Sequence, residues 1–379
     1  MKETSETFTD PELAHYSRQL NLRELGPEGQ ARLKHSSVLL VGLGGLGSPL
    51  ALYLAAAGVG RIGIVEFDTV DASNLHRQVL FGASHVGREK LACGAARLRD
   101  LNPHITIEEH PGALSRDNAR ELVAAYDVVA DGADNFATRY LVNDACVLEG
   151  RPLVSASILG FEGQLSVYNH DGGPCFRCLF PEPPPAGLIP SCAEGGVLGV
   201  LPGVMGTLQA TEVIKLIAGI GEVASGRLVH YDALALRFSA FRVDRDIQCA
   251  LCGDNPAIVE LVDYQAFCSG GATEDVGISE LSPTEAADLL ATAENTVFID
   301  VRDAHERLVD DLPRSQHIPL AELIENGVPF PSSERLVLFC ATGARSLVAA
   351  ESLTRRGYRH VHNLAGGLSA WRRRFPAGS

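Results

Sequence analysis

Ser37-Val38-Leu39-Leu40-Val41-Gly42-Leu43-Gly44-Gly45-Leu46-Gly47-Ser48-Pro49-Leu50 is the stretch on which the reading of this chain turns. Its opening β-branched and apolar run predicts a short buried strand. The run breaks into glycines, and an Ala/Leu-rich helix then continues to about Ala57. Gly42, Gly44 and Gly47 fit G-x-G-x-x-G, with Gly45 inside the turn. Such a turn lets backbone N–H groups at a helix N-terminus approach phosphates. About 20 residues further on, Glu66 lies in the second predicted strand, Gly60 to Asp68, where an acid can bind ribose hydroxyls. This much fits an NAD or FAD enzyme as well as an ATP enzyme, and a tight turn without any ligand would also produce it.

Strands and helices alternate outward from this point. A polar helix from about Asp10 to Arg23 carries Tyr16-Ser17-Arg18-Gln19. Downstream come a helix at about Arg88 to Leu101, a strand at Ile105–Ile107, a helix at about Ser115 to Ala125 and a strand at Val128–Ala130. The pattern predicts an α/β fold with a doubly wound, largely parallel sheet. After Leu153-Val154-Ser155, the run Gly163 to Tyr168 suggests an added antiparallel strand. Pro181 to Gly196 is a Pro- and Gly-rich loop that contains Cys192. Residues 263–277 lack periodicity and read as a linker between a domain at 1–262 and a second α/β domain at 278–379. The second domain has strands at Val297–Asp300, Leu336–Cys340 and His360–Leu364.

Bulk properties exclude several classes. A net charge of −15 over 379 residues argues against phosphate-backbone binding, so no nucleic-acid partner is expected. The first ten residues are polar and acidic, unlike a secretory signal, and no apolar stretch approaches the roughly 20 residues of a membrane span. A cytoplasmic location without membrane attachment is expected. In a reducing compartment, nine cysteines more often serve metals or catalysis than structural disulfides.

Charged residues beyond the glycine turn favour phosphate chemistry over hydride transfer. Asn74-Leu75-His76-Arg77-Gln78 follows the second strand, Lys90 begins the next helix, and Asp131-Gly132-Ala133-Asp134-Asn135 follows the fourth strand. Together they offer cations for a triphosphate and a carboxylate for Mg²⁺ at the carboxyl ends of parallel strands. Each taken singly would pass for a solvated surface group. Two C-x-x-C pairs, Cys175/Cys178 and Cys249/Cys252, can complete a tetrahedral four-cysteine site for structural Zn²⁺. A redox dithiol competes for either pair alone. Cys340-Ala341-Thr342-Gly343-Ala344-Arg345-Ser346 follows an apolar strand and opens a helix, a geometry that turns backbone N–H groups toward the sulfur, with Arg345 adding positive charge. A buried, inert cysteine is the plainer alternative. Cys93, Cys146 and Cys268 read as packing or linker residues.

The set G-L-G-G-L-G, E-F-D, S-N-L-H-R-Q, Lys90, G-A-D-N and Y-S-R-Q, over about residues 8 to 260, resembles the adenylating half of the ubiquitin-activating superfamily. It looks most like the bacterial molybdopterin-synthase and thiamine-pathway adenylyltransferases. The resemblance implies ATP with Mg²⁺, Glu66 on ribose, Arg77 and Lys90 on phosphates, and Asp134 on Mg²⁺. Gly42, Gly44, Gly45, Gly47, Asp68, Asn74 and Asn135 would complete the nucleotide site. It also implies a homodimer in which Arg18 enters the partner's site, and Zn²⁺ on the four paired cysteines. Glu66 stands where that family usually has Asp. Residues 277 to 376, with Asp300-Val301-Arg302-x-x-x-Glu306, the C-x4-R loop and Leu364-Ala365-Gly366-Gly367-Leu368-x-x-Trp371, resemble a rhodanese domain. A tyrosine phosphatase loop would be C-x5-R. Pro313-Arg314-Ser315 replaces a turn that is usually Gly-rich.

These resemblances imply adenylation of the C-terminal Gly-Gly carboxylate of a ubiquitin-like sulfur carrier, then sulfur transfer from a Cys340 persulfide. A cysteine desulfurase or another donor would load the persulfide, and Cys192 would release the product. Thioester activation of the ubiquitin type, a dinucleotide oxidoreductase and a non-catalytic carrier-binding scaffold are the competing readings.

Overall fold

The structure, a computed structural model, describes residues 7–184, 196–268, 278–292, 296–307 and 311–375. These residues divide into two compact units, the first comprising 7–183 and 196–264 and the second chiefly 278–375. In the first, the described residues form an eight-stranded sheet of order β3-β2-β1-β4-β5-β6-β7-β8. Its strands are β1 Ser37–Val41, β2 Arg61–Glu66, β3 Thr106–Pro111, β4 Val128–Asp131, β5 Leu153–Leu159, β6 Glu162–Tyr168, β7 Arg227–Asp232 and β8 Arg237–Arg242.

β1 is buried along its whole length. It pairs in parallel with β2 (Val41 opposite Val65) and with β4 (Val41 opposite Asp131). A strand buried on both faces needs the continuous Val/Leu run seen at 38–41. The chain passes from β1 to β2 and β3 on one side and then crosses to β4 on the other. A crevice therefore opens between β1 and β4 at their carboxyl ends. The core here includes Leu40, Leu43, Leu50, Leu54, Ile62, Ile64 and Val213. From β5 onward the pairing is antiparallel. The expected strand at Gly163–Tyr168 is therefore the first of three.

The N-terminal helix differs from expectation. It forms as two pieces, Asp10–His15 and Ser17–Leu20, broken at Tyr16 (φ −92°, ψ 7°). Tyr16 is buried and its hydroxyl accepts from Asn102 Nδ2 at 2.8 Å. Docking that ring fixes the backbone at the residue where a continuous helix would pass. Tyr264 belongs to the first unit's core rather than to a linker, since it is buried and its hydroxyl donates to Asp144 at 2.7 Å.

The second unit carries a parallel sheet, described as β11-β10-β12-β13-β9. Its strands are β9 Ser279–Leu281, β10 Thr296–Asp300, β11 Gln316–His317, β12 Arg335–Phe339 and β13 Val361–Leu364. Leu336 and Leu338 face one apolar cluster, while Val337 and Phe339 face another, as the two-residue period of a strand requires. Trp371, partly buried, packs on the second of these clusters. No helix among the described residues is long and apolar enough to cross a membrane.

Candidate active sites and metal centre

The glycine turn is shaped by backbone approach. Gly42 has φ +92°, and its N–H donates to the Val65 carbonyl at 2.9 Å. A Cβ at Gly47 would lie 2.0 Å from the Gly42 carbonyl oxygen, so no side chain is tolerated at the helix start Gly47–Ala57. The turn after β4 packs against it, a Cβ at Gly132 falling 3.1 Å from the same oxygen. The two loops that wall the crevice therefore meet backbone to backbone.

Glu66 ends β2 with 6% exposure. Its Oε2 accepts the Leu43 N–H at 2.8 Å, and its Oε1 accepts those of Phe67 at 2.8 Å and Asp68 at 2.9 Å. The expected ribose ligand is thus also the latch that holds the glycine turn to β2. A carboxylate offers about four acceptor positions, so one remains for a ligand. Lys90 opens the helix Lys90–Leu101, is buried, and its Nζ donates to Asp68 Oδ2 at 3.0 Å. The Arg77 stem lies along the turn, with Cδ 3.6 Å from where a Gly45 Cβ would stand, and its Nη1 donates to the Ser73 carbonyl. The Asn74 carbonyl accepts the N–H groups of Arg77 and Gln78.

Asp134 is exposed just past β4. Asn135 caps the helix Phe136–Leu148, accepting the Thr138 N–H at 2.9 Å, so part of its capacity is structural. Asp131, quoted in the sequence only as part of its run and given no role of its own, shapes this turn. It is 1% exposed, with Oδ1 accepting the Ala133 N–H at 2.8 Å and Oδ2 accepting from Ser155 Oγ at 3.0 Å. Burial pushes its carboxyl up, against the opposing pull of Arg139 and these hydrogen bonds. The doubled acid of D-G-A-D was the available signal. Arg18 lies exposed on Ser17–Leu20 and makes no hydrogen bond or ion pair among the described residues.

The four paired cysteines converge. Their Sγ atoms all lie within 4.8 Å of one another. Cys175 is 3.9 Å from Cys178 and 3.7 Å from Cys249, and Cys178 is 3.3 Å from Cys252. Zn–S bonds of about 2.3 Å in a tetrahedron give an edge of about 3.8 Å, so the spacing fits. Crowding of the sulfurs divides their acidities. Hydrogen bonding from Cys175 first, helped by the Asp246 N–H, pushes the Cys178 thiol down to about 5. Burial and the neighbouring sulfurs push Cys252 up to about 11. Four thiolates this close need a cation, and the cluster can hold a metal such as zinc.

A buried ion pair not anticipated from sequence supports this cluster. Arg177, between Cys175 and Cys178, donates Nε to Asp144 Oδ1 at 2.8 Å and Nη2 to Asp144 Oδ2 at 2.7 Å. Its side chain is 4% exposed and that of Asp144 0%. Asn143 Nδ2 and the Tyr264 hydroxyl also donate to Asp144.

In the second unit, Cys340 is buried at the end of β12. The Gly343 N–H points at its Sγ at 3.1 Å, and the Ser346 hydroxyl lies at 3.6 Å. Gly343 has φ +97°, which brings its N–H onto the sulfur. The Arg345 guanidinium, expected to add positive charge at the loop, is paired with Glu306. Nη1 and Nη2 each donate to a Glu306 carboxylate oxygen at 2.8 Å, so the guanidinium braces the loop against the helix Ala304–Arg307. Arg302 forms a buried pair with Asp300 at 2.8 Å. Arg314 adopts φ +69°, filling with an arginine the left-handed position where glycine is usual. Cys192 lies outside the described residues.

A crevice with cations and carboxylates at the switch point of a doubly wound sheet defines a nucleotide-using enzyme, and the Cys340 loop adds sulfur chemistry on a second unit. Residues 16–251 match the ThiF family, and residues 282–374 match the rhodanese-like domain. The chain is 51% identical over 320 residues to the adenylyltransferase and sulfurtransferase MOCS3 of Mus musculus, covering 82% of this chain and 70% of that one. It is 44% identical over 379 residues to the probable adenylyltransferase/sulfurtransferase MoeZ of Mycobacterium tuberculosis H37Rv, covering 97% and 95%. Among solved structures, E. coli MccB superposes with a TM-score of 0.58 at 23% identity over 64% of this chain and 73% of that one, a likeness of fold. The chain belongs to the ThiF family and carries a C-terminal rhodanese-like domain. It is an enzyme, an adenylyltransferase and sulfurtransferase.

Proposed function

We propose that the two activities act in sequence on the C-terminal carboxylate of a ubiquitin-like sulfur carrier ending in Gly-Gly, giving its thiocarboxylate. The observation that carries this reading is the presence, on one chain, of the cation-lined crevice and the Cys340 loop.

In the first step a carboxylate oxygen of the carrier attacks the α-phosphorus of ATP. The bond to the bridging oxygen breaks, and pyrophosphate leaves. Positioning and charge stabilisation are what the protein supplies. The N–H groups of the turn beyond Leu43 would face the phosphates, since that of Leu43 is held by Glu66. Glu66 takes a ribose hydroxyl with its remaining acceptor position, while Arg77 and Lys90 neutralise phosphate charge. Lys90 must then leave Asp68 for the phosphate, and the exposed Asp68 returns to water. Asp134, presented by the turn that Asp131 shapes, would hold Mg²⁺, which offsets triphosphate charge when bound. Arg18, which makes no hydrogen bond or ion pair among the described residues, would enter the site of a second copy in a homodimer.

In the second step the terminal sulfur of a Cys340 persulfide attacks the acyl carbon and AMP leaves, giving an acyl disulfide on Cys340. Attack of the Cys192 thiolate on the Cys340 sulfur releases the thiocarboxylate and leaves a Cys192–Cys340 disulfide for an external thiol to reduce. A cysteine desulfurase or similar donor reloads Cys340. Cys175, Cys178, Cys249 and Cys252 would hold zinc in a closed, structural site.

The test is carrier-dependent ATP–pyrophosphate exchange followed by intact mass of the carrier, with wild type and Cys340→Ala side by side. Exchange in both, with oxygen replaced by sulfur in the wild type only, is the expected result. No exchange with any Gly-Gly carrier would remove the adenylation reading.

A further inference from the structure

Beneath Cys340 runs a buried polar chain that the sulfur chemistry above does not use. Ser346 and Asn363 are 0% and 1% exposed, so water does not compete for their hydrogen bonds. The single Ser346 hydroxyl proton has three acceptors in reach: Asn363 Oδ1 at 2.7 Å, the Gly343 carbonyl at 3.1 Å and Cys340 Sγ at 3.6 Å. Asn363 sits on β13 opposite Glu280 of β9, and its Nδ2 donates to Glu280 Oε1 at 2.9 Å. Glu280 is exposed at the far strand of the sheet.

We propose that Glu280, acting through Asn363, sets the direction of the Ser346 hydroxyl and so tunes the reactivity of the Cys340 sulfur. All three are positioning residues. An ionised carboxylate only accepts hydrogen bonds. It therefore holds the Asn363 amide with Nδ2 outward and Oδ1 inward. The inward Oδ1 draws the Ser346 proton away from Cys340, leaving the serine's lone pairs toward the sulfur. That arrangement accepts a thiol S–H and leaves the Gly343 N–H as the donor to an anionic sulfur. If the amide were turned over, Nδ2 would donate to Ser346 Oγ and free its proton to point at Sγ. An added donor favours the anionic sulfur.

The inference rests on the reading of Cys340 as the sulfur-bearing residue, and its test needs neither carrier nor ATP. Full-length wild type, Glu280→Lys, Glu280→Gln, Ser346→Ala and the Glu280→Lys/Ser346→Ala double variant are compared. The readout is the rate of Cys340 alkylation by iodoacetamide, followed by peptide mass from about pH 5 to 9, a range spanning thiol ionisation. Lysine only donates, so it turns the amide over. Glu280→Lys should alkylate roughly three- to tenfold faster on the acid side, the scale of one ordinary net hydrogen bond. Glutamine still accepts through its own oxygen, so Glu280→Gln should track wild type. In the Ser346→Ala background the lysine should have no effect, since the proposed signal passes through the serine. Two results would overturn the proposal in favour of plain charge. One is a Glu280→Gln rate midway between wild type and lysine. The other is an equal lysine effect with and without Ser346, since either would mean plain charge acting through space. Unchanged alkylation in Glu280→Lys would overturn it as well. None of these outcomes touches the proposed function, which fails instead if Cys340→Ala still thiolates the carrier.

Discussion

At the scale of single residues, the ion pair of Arg177 with Asp144 shows what motif reading leaves out. The C-x-x-C pattern singles out its cysteines, but the arginine between them is buried with a bidentate partner 33 positions earlier in the chain. Removing one member of a buried pair strands the other charge in a dry site, which typically costs about 3–5 kcal/mol. Arg177→Ala should lower the denaturant unfolding free energy of the first unit by that amount. A loss under about 1 kcal/mol, within the range of surface pairs, would mean that water reaches Asp144. Glu306 makes a pH-dependent contribution. Burial alone would raise its carboxyl, but the hydrogen bonds from Arg345, the Asp303 N–H and nearby guanidinium charges hold it below the ordinary 4.5. A folded value below the unfolded one means that the contribution is complete above the unfolded value. It is lost as pH falls through the folded value. The second unit should therefore lose stability on acidification below about pH 4.5, and Glu306→Gln should flatten that acid limb. An unchanged slope in urea melts from about pH 5 to 3 would count against the pairing. The residues legible in sequence were those whose chemistry is tied to a local pattern: Gly42, Gly47, Glu66, Lys90 and the four paired cysteines. Asp144 and Tyr264 were not, because their partners come from distant elements, and the motifs that contain Asp131 and Glu306 did not disclose their pairing with Ser155 and Arg345.

At the scale of elements, strands that alternate with helices and are buried on both faces announced themselves, as β1, β2 and β4 do through unbroken apolar runs. β7 and β8 escaped notice. β8 is an edge strand with little burial and a charged residue at each end, so its period-2 signal is weak. The two-residue β11 is too short to show any period. The N-terminal helix was legible in composition but not in its break, since nothing local says that the Tyr16 ring docks near Asn102. The Cys340 loop gives the sharpest element-level prediction. Gly343 holds φ +97°, and an added Cβ would come within 3.1 Å of the Gly366 nitrogen. A left-handed conformation costs an L-residue about 1–2 kcal/mol before any clash. Gly343→Ala should swing its N–H off the sulfur and cut sulfur transfer by at least about tenfold, the rate equivalent of about 1.4 kcal/mol. Carrier-dependent pyrophosphate exchange should be unchanged. Loss of exchange as well would show that the change unfolds more than the loop.

At the scale of the whole chain, the four-cysteine cluster joins segments that the sheet alone leaves far apart in sequence. Cys175 and Cys178 follow β6, Cys249 and Cys252 follow β8, and 70 residues separate the two pairs. A bound metal closes that long loop in the folded state and removes a large set of unfolded conformations. At about a thousandfold excess over its dissociation constant, a ligand specific to the folded state contributes about 4 kcal/mol. For a unit of this size each kcal/mol moves Tm by about 2–4 °C, so chelation should lower the midpoint of the first unit by roughly 10 °C. The change should be local. β5 to β8 and the helix Phe136–Leu148 carry the cluster and its Arg177–Asp144 brace, so their amide hydrogen exchange should rise after chelation. β12, in the second unit, should keep its protection. Exchange rising equally in β12 and β6 would mean that the metal supports folding of the entire chain rather than one end of one sheet. Unchanged exchange in β5 to β8 would mean that hydrogen bonding and the buried ion pair already hold that end without a metal.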